Sequence, residues 1–394
     1  MTTRRRRSSV PPRPVRRLLL GPIVPVVATV GIVVLPIGAA VGVFATRFLP
    51  GPLKPVRLLW VMLVGLARES VGITALFGLW LASGFGWRIR TPVFQRQHVR
   101  LIGWYLWGLV GTAQRTLGMR IVIEEAPGAL SVEPHVESRP LLVLSRHAGV
   151  GDSLLLAHQL VNIYGRTPSI ILKDTLQWAP CLDVVLNRLP NRFIASNPRP
   201  GAGAVESIAS LAAELPSDGA LILFPEGGNF SEARRLRAIE RLVEQDLPAQ
   251  AAKARALMTV LPPRPRGTLA AIDAAPHADV VFVAHTGLER LSSMREVIAG
   301  VPMEHSVRMS WWLVRARDIP HGDDARIAWL YDWWERIDTW IQAHAEPGLE
   351  PVTRVDAEQR RATRPSADAA GPYLSDIEPD SPKRPLRPRE NRRP

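Results

Sequence analysis

Between Leu18 and Thr46 the sequence contains no charged residue, and just upstream, from Arg4 to Arg17, it places seven arginines. Few folds accept that juxtaposition. As a helix rising about 1.5 Å per residue, the run outreaches the roughly 30 Å hydrocarbon core of a bilayer, so it can cross with tilt or with a kink near Pro36. A cleaved signal peptide fits less well, because the run is about twice the usual apolar stretch and no small-residue cleavage site closes it. A second apolar stretch covers 58–85 and is broken midway by Arg68 and Glu69. Each such charge costs about 2.5–3.5 kcal/mol at the bilayer centre, which predicts a segment that re-enters or lies shallow instead of spanning cleanly.

Arginine bias sets the expected orientation. Seven arginines precede the first run, against Arg47, Lys54 and Arg57 after it, which places the N-terminus in the cytoplasm. If the two segments form a hairpin, Arg88, Arg90, Arg96 and Arg100 return to the cytoplasmic face of the cell membrane and the rest of the chain stays there. The stretch 101–110, with Trp104, Tyr105 and Trp107, reads either as an interfacial belt or as a buried core helix.

With 394 residues the chain can bury at least one full core. Its 49 Lys and Arg against 36 Asp and Glu give a net charge of +13, which favours an anionic partner such as lipid headgroups, nucleic acid or a phosphorylated ligand. Nucleic acid is not expected, because the arginine clusters lie in the terminal tails and beside apolar segments, with no nucleic-acid motif. Cys181 is the only cysteine, which excludes an internal disulfide and reads as a small buried hydrophobe more readily than as a catalytic thiol.

From Met119 onward short apolar runs alternate with helical patterns. Strands are expected over 121–124, 141–145, 169–172, 192–195, 220–224, 257–261, 280–284 and 307–314, and helices over 153–164, 204–215, 232–245 and 323–344. This is an α/β rhythm. Trp329, Trp333 and Trp340 on the last helix can meet either a membrane surface or the core, with core packing the preferred reading. The divisions that follow are a basic cytoplasmic tail (1–17), membrane-embedded and interfacial helices (18–115), an α/β domain (116–346) and a polar, disordered C-terminal tail (347–394).

Two strand exits carry chemistry. In SRHAGVGDS, residues 145–153, a strand ends at Ser145, and Asp152 precedes an apolar run as a natural helix cap. On a regular helix His147 and Asp152 would point about 140° apart, so contact requires a turn, which Gly149 and Gly151 permit. A carboxylate bonded to one ring nitrogen fixes the tautomer and prepares the other nitrogen to take a proton. On spacing alone, a base–carboxylate pair and a loop histidine beside a helix cap stay equally open. The second exit is LFPEGGNFSEARR, residues 223–235, where a glycine turn presents Glu226 and is followed by arginines at helical spacing, which suits an anionic ligand or, alternatively, a solvated basic helix.

His147 and Asp152 match the HxxxxD signature of the glycerolipid acyltransferases, the lysophosphatidic acid acyltransferase superfamily, and Phe224 to Gly227 match that family's FPEG block. ILKDTLQWAP, with Lys173 and Pro180, resembles the family's lysine-containing strand exit. VLPPRPRG (260–267) resembles the Pro-Pro-Arg segment of its eukaryote-like branch, while LPNRFIAS (189–196) stands in for the second block without its leading glycine. The resemblance implies a mixed sheet flanked by helices, behind the N-terminal hydrophobic hairpin. It implies transfer of an acyl group from acyl-coenzyme A or acyl carrier protein to a membrane lipid acceptor, lysophosphatidic acid by default, with no metal or other cofactor. His147 is then the base, Asp152 its orienting carboxylate, Lys173 or a backbone N–H near the histidine loop a donor to the developing oxyanion, and Glu226, Gly227, Gly228 and Asn229 form the acceptor site. Many members continue FPEG with Thr and Arg. Here Gly228 and Asn229 occupy those places, so a phosphate contact falls to Arg192, Arg234, Arg235 or Arg264. Competing readings are a different lysophospholipid or glycolipid acceptor, and a non-catalytic membrane protein that keeps the fold.

Overall fold

The computed structural model describes residues 10–45, 54–124, 139–149, 151–194, 203–289 and 306–345. The expected tail over 347–394 and arginines 4–7 of the N-terminal cluster lie outside them. The charge-free run folds as helix α1 (Arg13–Ala45), continuous through Pro36, and the second apolar stretch as α2 (Lys54–Ala82). Both are long and apolar enough to cross a membrane, over Arg13–Gly31 and Val56–Ala82. They pair antiparallel: Ser70 Oγ donates to the Val24 carbonyl at 3.4 Å, and a Cβ on Gly31 or Gly38 would run into Leu63 or Leu59 respectively.

The charges that interrupt α2 are bound by the rest of the protein. α3 (Pro92–Thr112) runs along α2, and there Arg68 donates to the Trp104 carbonyl at 2.9 Å and lies over its ring, 4.7 Å from the centroid. Gly108 leaves the space this guanidinium fills. Glu69 accepts from the Tyr105 hydroxyl (2.6 Å) and from the Cys181 N–H (2.9 Å), in the first turn of α5 (Pro180–Arg188). A carboxylate there complements the positive end of the helix. Arg57 donates to the Thr116 carbonyl and Arg188 to the Leu76 carbonyl, so α2 is fastened at both ends as well as in the middle. α1 starts with a buried clamp, where Arg16 and Arg17 reach Asp183 of α5 at 2.5 and 3.1 Å. Its outward face carries exposed Leu18, Ile23, Val26, Val30 and Val34.

Strands β1 (Arg120–Glu124), β2 (Leu141–Ser145), β3 (Thr167–Lys173), β4 (Arg192–Ile194), β5 (Gly219–Leu223), β6 (Asp279–Thr286) and β7 (Ser306–Val314) form one sheet in the order β1-β7-β6-β2-β5-β3-β4. Neighbours are parallel except β6 and β7, so the sheet is mixed. β2 lies between β5 and β6 and is buried throughout, which accounts for its unbroken apolar run in place of alternation. Leu141 and Val143 pack with Leu155 and Leu156 of α4 (Asp152–His158). On the other face Leu142 and Leu144 pack with Leu211 of α6 (Ala204–Ala213), Ile272 of α9 (Pro265–Ala274) and Trp334 of α10 (Asp323–His344), α7 (Glu232–Glu244) and α8 (Pro248–Ala256) coming between α6 and α9 in the chain. Trp329 and Trp333 pack against this core and Trp340 is buried in it, with Trp333 stacked on Phe282 at 4.4 Å, so the core reading of that helix holds.

Several expectations need correction. Residues 257–261 form no strand. Pro262 and Pro263 lack N–H groups to continue a ladder, and side chains take the donors that exist: Asp338 accepts from Met258 and Thr259, Glu226 from Leu261. The helix expected over 153–164 is α-helical only to His158 and continues as a π turn, Gln159–Ile163. Helices α5, α8 and α9 were not anticipated, although each opens on a proline, which favours a first-turn position.

Asp183 is 1% exposed and Arg16 5%, so removing the carboxylate strands a buried guanidinium. Asp183→Ala is therefore expected to destabilise the folded chain by about 3–5 kcal/mol, the usual range for half of a buried pair. Denaturant unfolding of the full chain checks this, and a change below about 1 kcal/mol would mean the clamp is solvated.

Candidate active site

β2, β5 and β6 are parallel, so their carboxyl ends open on one edge of the sheet, where open α/β sheets receive ligands. Three loops converge there: 146–149 after β2, 224–230 after β5 and 287–289 after β6. Phe230 N–H donates to the His147 carbonyl at 3.1 Å, tying the first two together.

Asp152 was expected to cap α4. Instead it is the first helical residue, Gly151 occupies the cap position, and the carboxylate turns back over the loop. Its Oδ2 lies 2.9 Å from His147 Nδ1, 2.6 Å from Ala148 N and 2.9 Å from Gly149 N. The Ala148 and Gly149 N–H groups thus both donate to this carboxylate. Because an ionised carboxylate only accepts, Nδ1 carries the hydrogen and Nε2 keeps its lone pair. Burial works against charge on Asp152, yet His285, His147 and the Gly149 N–H overcome it and hold the carboxyl below the usual range. The Asp152 side chain is fully buried, while that of His147 is 21% exposed, so the free nitrogen is reachable from outside. The imidazole stacks on Phe224 with centroids 4.5 Å apart.

Glu226 was expected to face an acceptor. It turns inward instead: Oε1 accepts from His147 N and Oε2 from Leu261 N, both at 3.2 Å, and the residue is 1% exposed. It joins the β5 loop to the β2 loop and to the 257–261 segment. Gly227 makes this possible at φ +69°, a conformation few other residues adopt.

The remaining residues divide. Arg264 N–H donates to the Pro225 carbonyl and its guanidinium lies against Gly227, 3.0 Å from where a Cβ would stand. Arg234 donates to the Asn229 carbonyl at 2.9 Å and lies beside Gly228. Burial, then the like charges of Arg241 and Arg234, lower the Arg264 pKa. Among the described residues no carboxylate lies within ion-pair distance of Arg234, Arg241 or Arg264. By contrast, Arg192 sits on edge strand β4 beside Glu214 at 3.9 Å, and Arg235 is bound to Glu232 of its own helix. Lys173 is exposed at the end of β3, separated from β2 by β5. Arg146 and His285, both buried next to the pair, and the partly exposed Glu289 bound to Arg146 were not singled out from sequence. The available signal was the same as for His147, a lone polar residue at the exit of an apolar strand.

Residues 130–260 match the family model described as Acyltransferase. Over those residues the chain is similar to the acyltransferase family. The match contains His147, Asp152, Lys173 and the Glu226–Asn229 turn, and it ends before Arg264 and β6, so the edge of the candidate site is completed by residues beyond it. No curated protein matches the chain.

An ordinary glutamate titrates near 4.5; burial pushes the Glu226 carboxyl up to about 8, against Arg146 and the two N–H donors. The folded chain thus binds this proton more tightly than the unfolded chain, so the group's contribution to stability is full below about pH 4.5 and lost as pH rises through about 8. Glu226→Gln cannot ionise. Wild type is expected to lose melting temperature relative to this variant between about pH 5 and pH 9, and parallel melting curves would show the carboxyl already ionised throughout.

Proposed function

We propose that the protein is a membrane-bound O-acyltransferase that moves a fatty acyl group from an acyl thioester, of coenzyme A or acyl carrier protein, to the free hydroxyl of 1-acyl-sn-glycerol-3-phosphate. The observation that carries this reading is the buried Asp152 holding His147 with its outer nitrogen free, inside a stretch similar to the acyltransferase family. His147 Nε2 takes the hydroxyl proton while the oxygen attacks the thioester carbonyl. The C–O bond forms, the C–S bond breaks, and the thiolate leaves with the proton from the imidazolium. A positioned base contributes typically about 10²–10⁴-fold. Ala148 and Gly149 N–H are committed to Asp152, so the oxyanion donor falls to Lys173 at the end of β3.

No protein nucleophile is needed. The Cys181 thiol is buried and free, and burial, with Glu69 beside it, pushes its pKa up to about 12, which leaves almost no thiolate for an acyl-enzyme. A phosphomonoester headgroup is supported by Arg234 and Arg264 beside the Gly227–Asn229 turn, with Arg241 near enough to lower the Arg264 pKa and no acidic partner for the three among the described residues. Asn229 in place of the family's usual arginine favours, as the second reading, another lysophospholipid or a glycolipid hydroxyl. The apolar outer face of α1 would hold the domain at the cytoplasmic leaflet, where basic residues add about 1 kcal/mol each.

Membranes containing the full chain, given acyl-coenzyme A and lysophosphatidic acid, are expected to release thiol, and His147→Ala to lower the rate by at least about 100-fold. Equal rates would leave a non-catalytic protein. Arg234→Ala combined with Arg264→Ala is expected to raise KM for lysophosphatidic acid about ten-fold or more, with kcat held. Should an uncharged lysolipid be used equally well by wild type and the double variant while lysophosphatidic acid is refused, the second reading stands.

A further inference from the structure

A second imidazole lies beside Asp152 Oδ2. His285, near the carboxyl end of β6, has no exposed surface, and its Nε2 is 3.3 Å from the Arg146 carbonyl and 4.0 Å from Asp152 Oδ2. A carbonyl only accepts, so Nε2 carries the hydrogen and points it between that carbonyl and the carboxylate. Burial holds the ring below the ordinary histidine pKa, against the pull of Asp152, so it is neutral and meets Asp152 as an N–H dipole. Arg146 reciprocates: its guanidinium donates to the His285 carbonyl at 2.9 Å, to the Thr259 carbonyl at 3.3 Å, and to Glu289. Arg146 is the residue directly before His147. The lock between β2 and β6 therefore fixes the peptide from which the proposed base projects. Asp152 is held through Oδ2 alone, since its Oδ1 is buried and has no hydrogen-bond partner among the described residues.

We propose that His285 is a positioning residue for the His147–Asp152 pair, its ring fixing the Arg146 peptide and backing Asp152 Oδ2 so that the carboxylate presents itself to His147 Nδ1. It touches no reacting atom. This rests on the acyl-transfer reading for its kinetic consequence, but the geometry it asserts, a loop held in place, stands apart from the reaction. Buried polar networks of this kind act as units, so losing one member is felt at the others.

The variants follow from shape. A glutamine amide nitrogen reaches the place of imidazole Nε2, whereas asparagine stops short of it and leucine fills the volume without a donor. In full-length protein in membranes, His285→Leu and His285→Asn are expected to lower kcat on the order of ten-fold or more with KM for both substrates within about two-fold, and His285→Gln to recover most of kcat. Amide exchange over the 145–149 loop should rise in Leu and Asn and stay near wild type in Gln. A folded Leu variant with wild-type kcat overturns the proposal, as does a loss confined to KM or an equal loss in Gln and Asn. Should Leu fail to fold, the Gln and Asn comparison decides by itself. Should wild type release no more thiol than His147→Ala, the acyl-transfer reading fails, and the exchange measurement still judges His285: equal exchange in Gln and Asn overturns it.

Discussion

A single oxygen atom organises the site. Asp152 Oδ2 gathers the His147 ring and the Ala148 and Gly149 N–H groups within hydrogen-bond distance. Left unpaired in a buried loop, each of those donors would cost about 1–3 kcal/mol, so the carboxylate folds the loop as much as it orients the ring. That explains why Asp152 bonds backward rather than capping its own helix. The N–H groups of a helix's first turn can be met by water at a surface, whereas those of a loop enclosed by three strand ends cannot.

The surrounding loops are joined by the same kind of link, a buried polar side chain spending its bonds on backbone. Glu226 binds His147 N and Leu261 N; Asp338 binds Met258 N and Thr259 N; Arg146 binds the His285 and Thr259 carbonyls. Irregular segments cannot satisfy their main chain within a ladder, so they borrow side chains from elements far away in sequence. The result is a rigid edge on which His147 is the partly exposed member of the buried pair.

The parts legible in the sequence were those set by short-range pattern. The unbroken apolar run of β2 reflects burial that every residue of the strand shares and the apolar stripe of α10 burial of one face, while two glycines permitted the turn that closes His147 onto Asp152, which spacing alone left as open as a loop histidine beside a helix cap. What stayed hidden depends on distance along the chain. Arg146 and His285 meet across 139 positions, and Thr259 and Asp338 across 79, so no local spacing announces them. The 257–261 run looked like a strand because its side chains are apolar; its backbone donors were already claimed from elsewhere. Arg192 and Arg235 looked equivalent to Arg234 and Arg264 until Glu214 and Glu232 were seen beside them.

The N-terminal helices obey the same economy of charge. Arg68 and Glu69 would each cost several kcal/mol in hydrocarbon, and here the Trp104 carbonyl, the Tyr105 hydroxyl and the start of α5 receive them. With Arg57 and Leu76 also tied down, α2 is fastened to α3 and α5, yet apolar surface still faces outward on both helices, with Leu18, Ile23 and Val26 exposed on α1 and Met62, Val71 and Phe77 on α2. The hairpin is thus held to the domain by its polar and charged groups while both helices keep an apolar outer face. Charges are turned inward and apolar side chains outward, the division that two helices long and apolar enough to cross a membrane would need beside hydrocarbon.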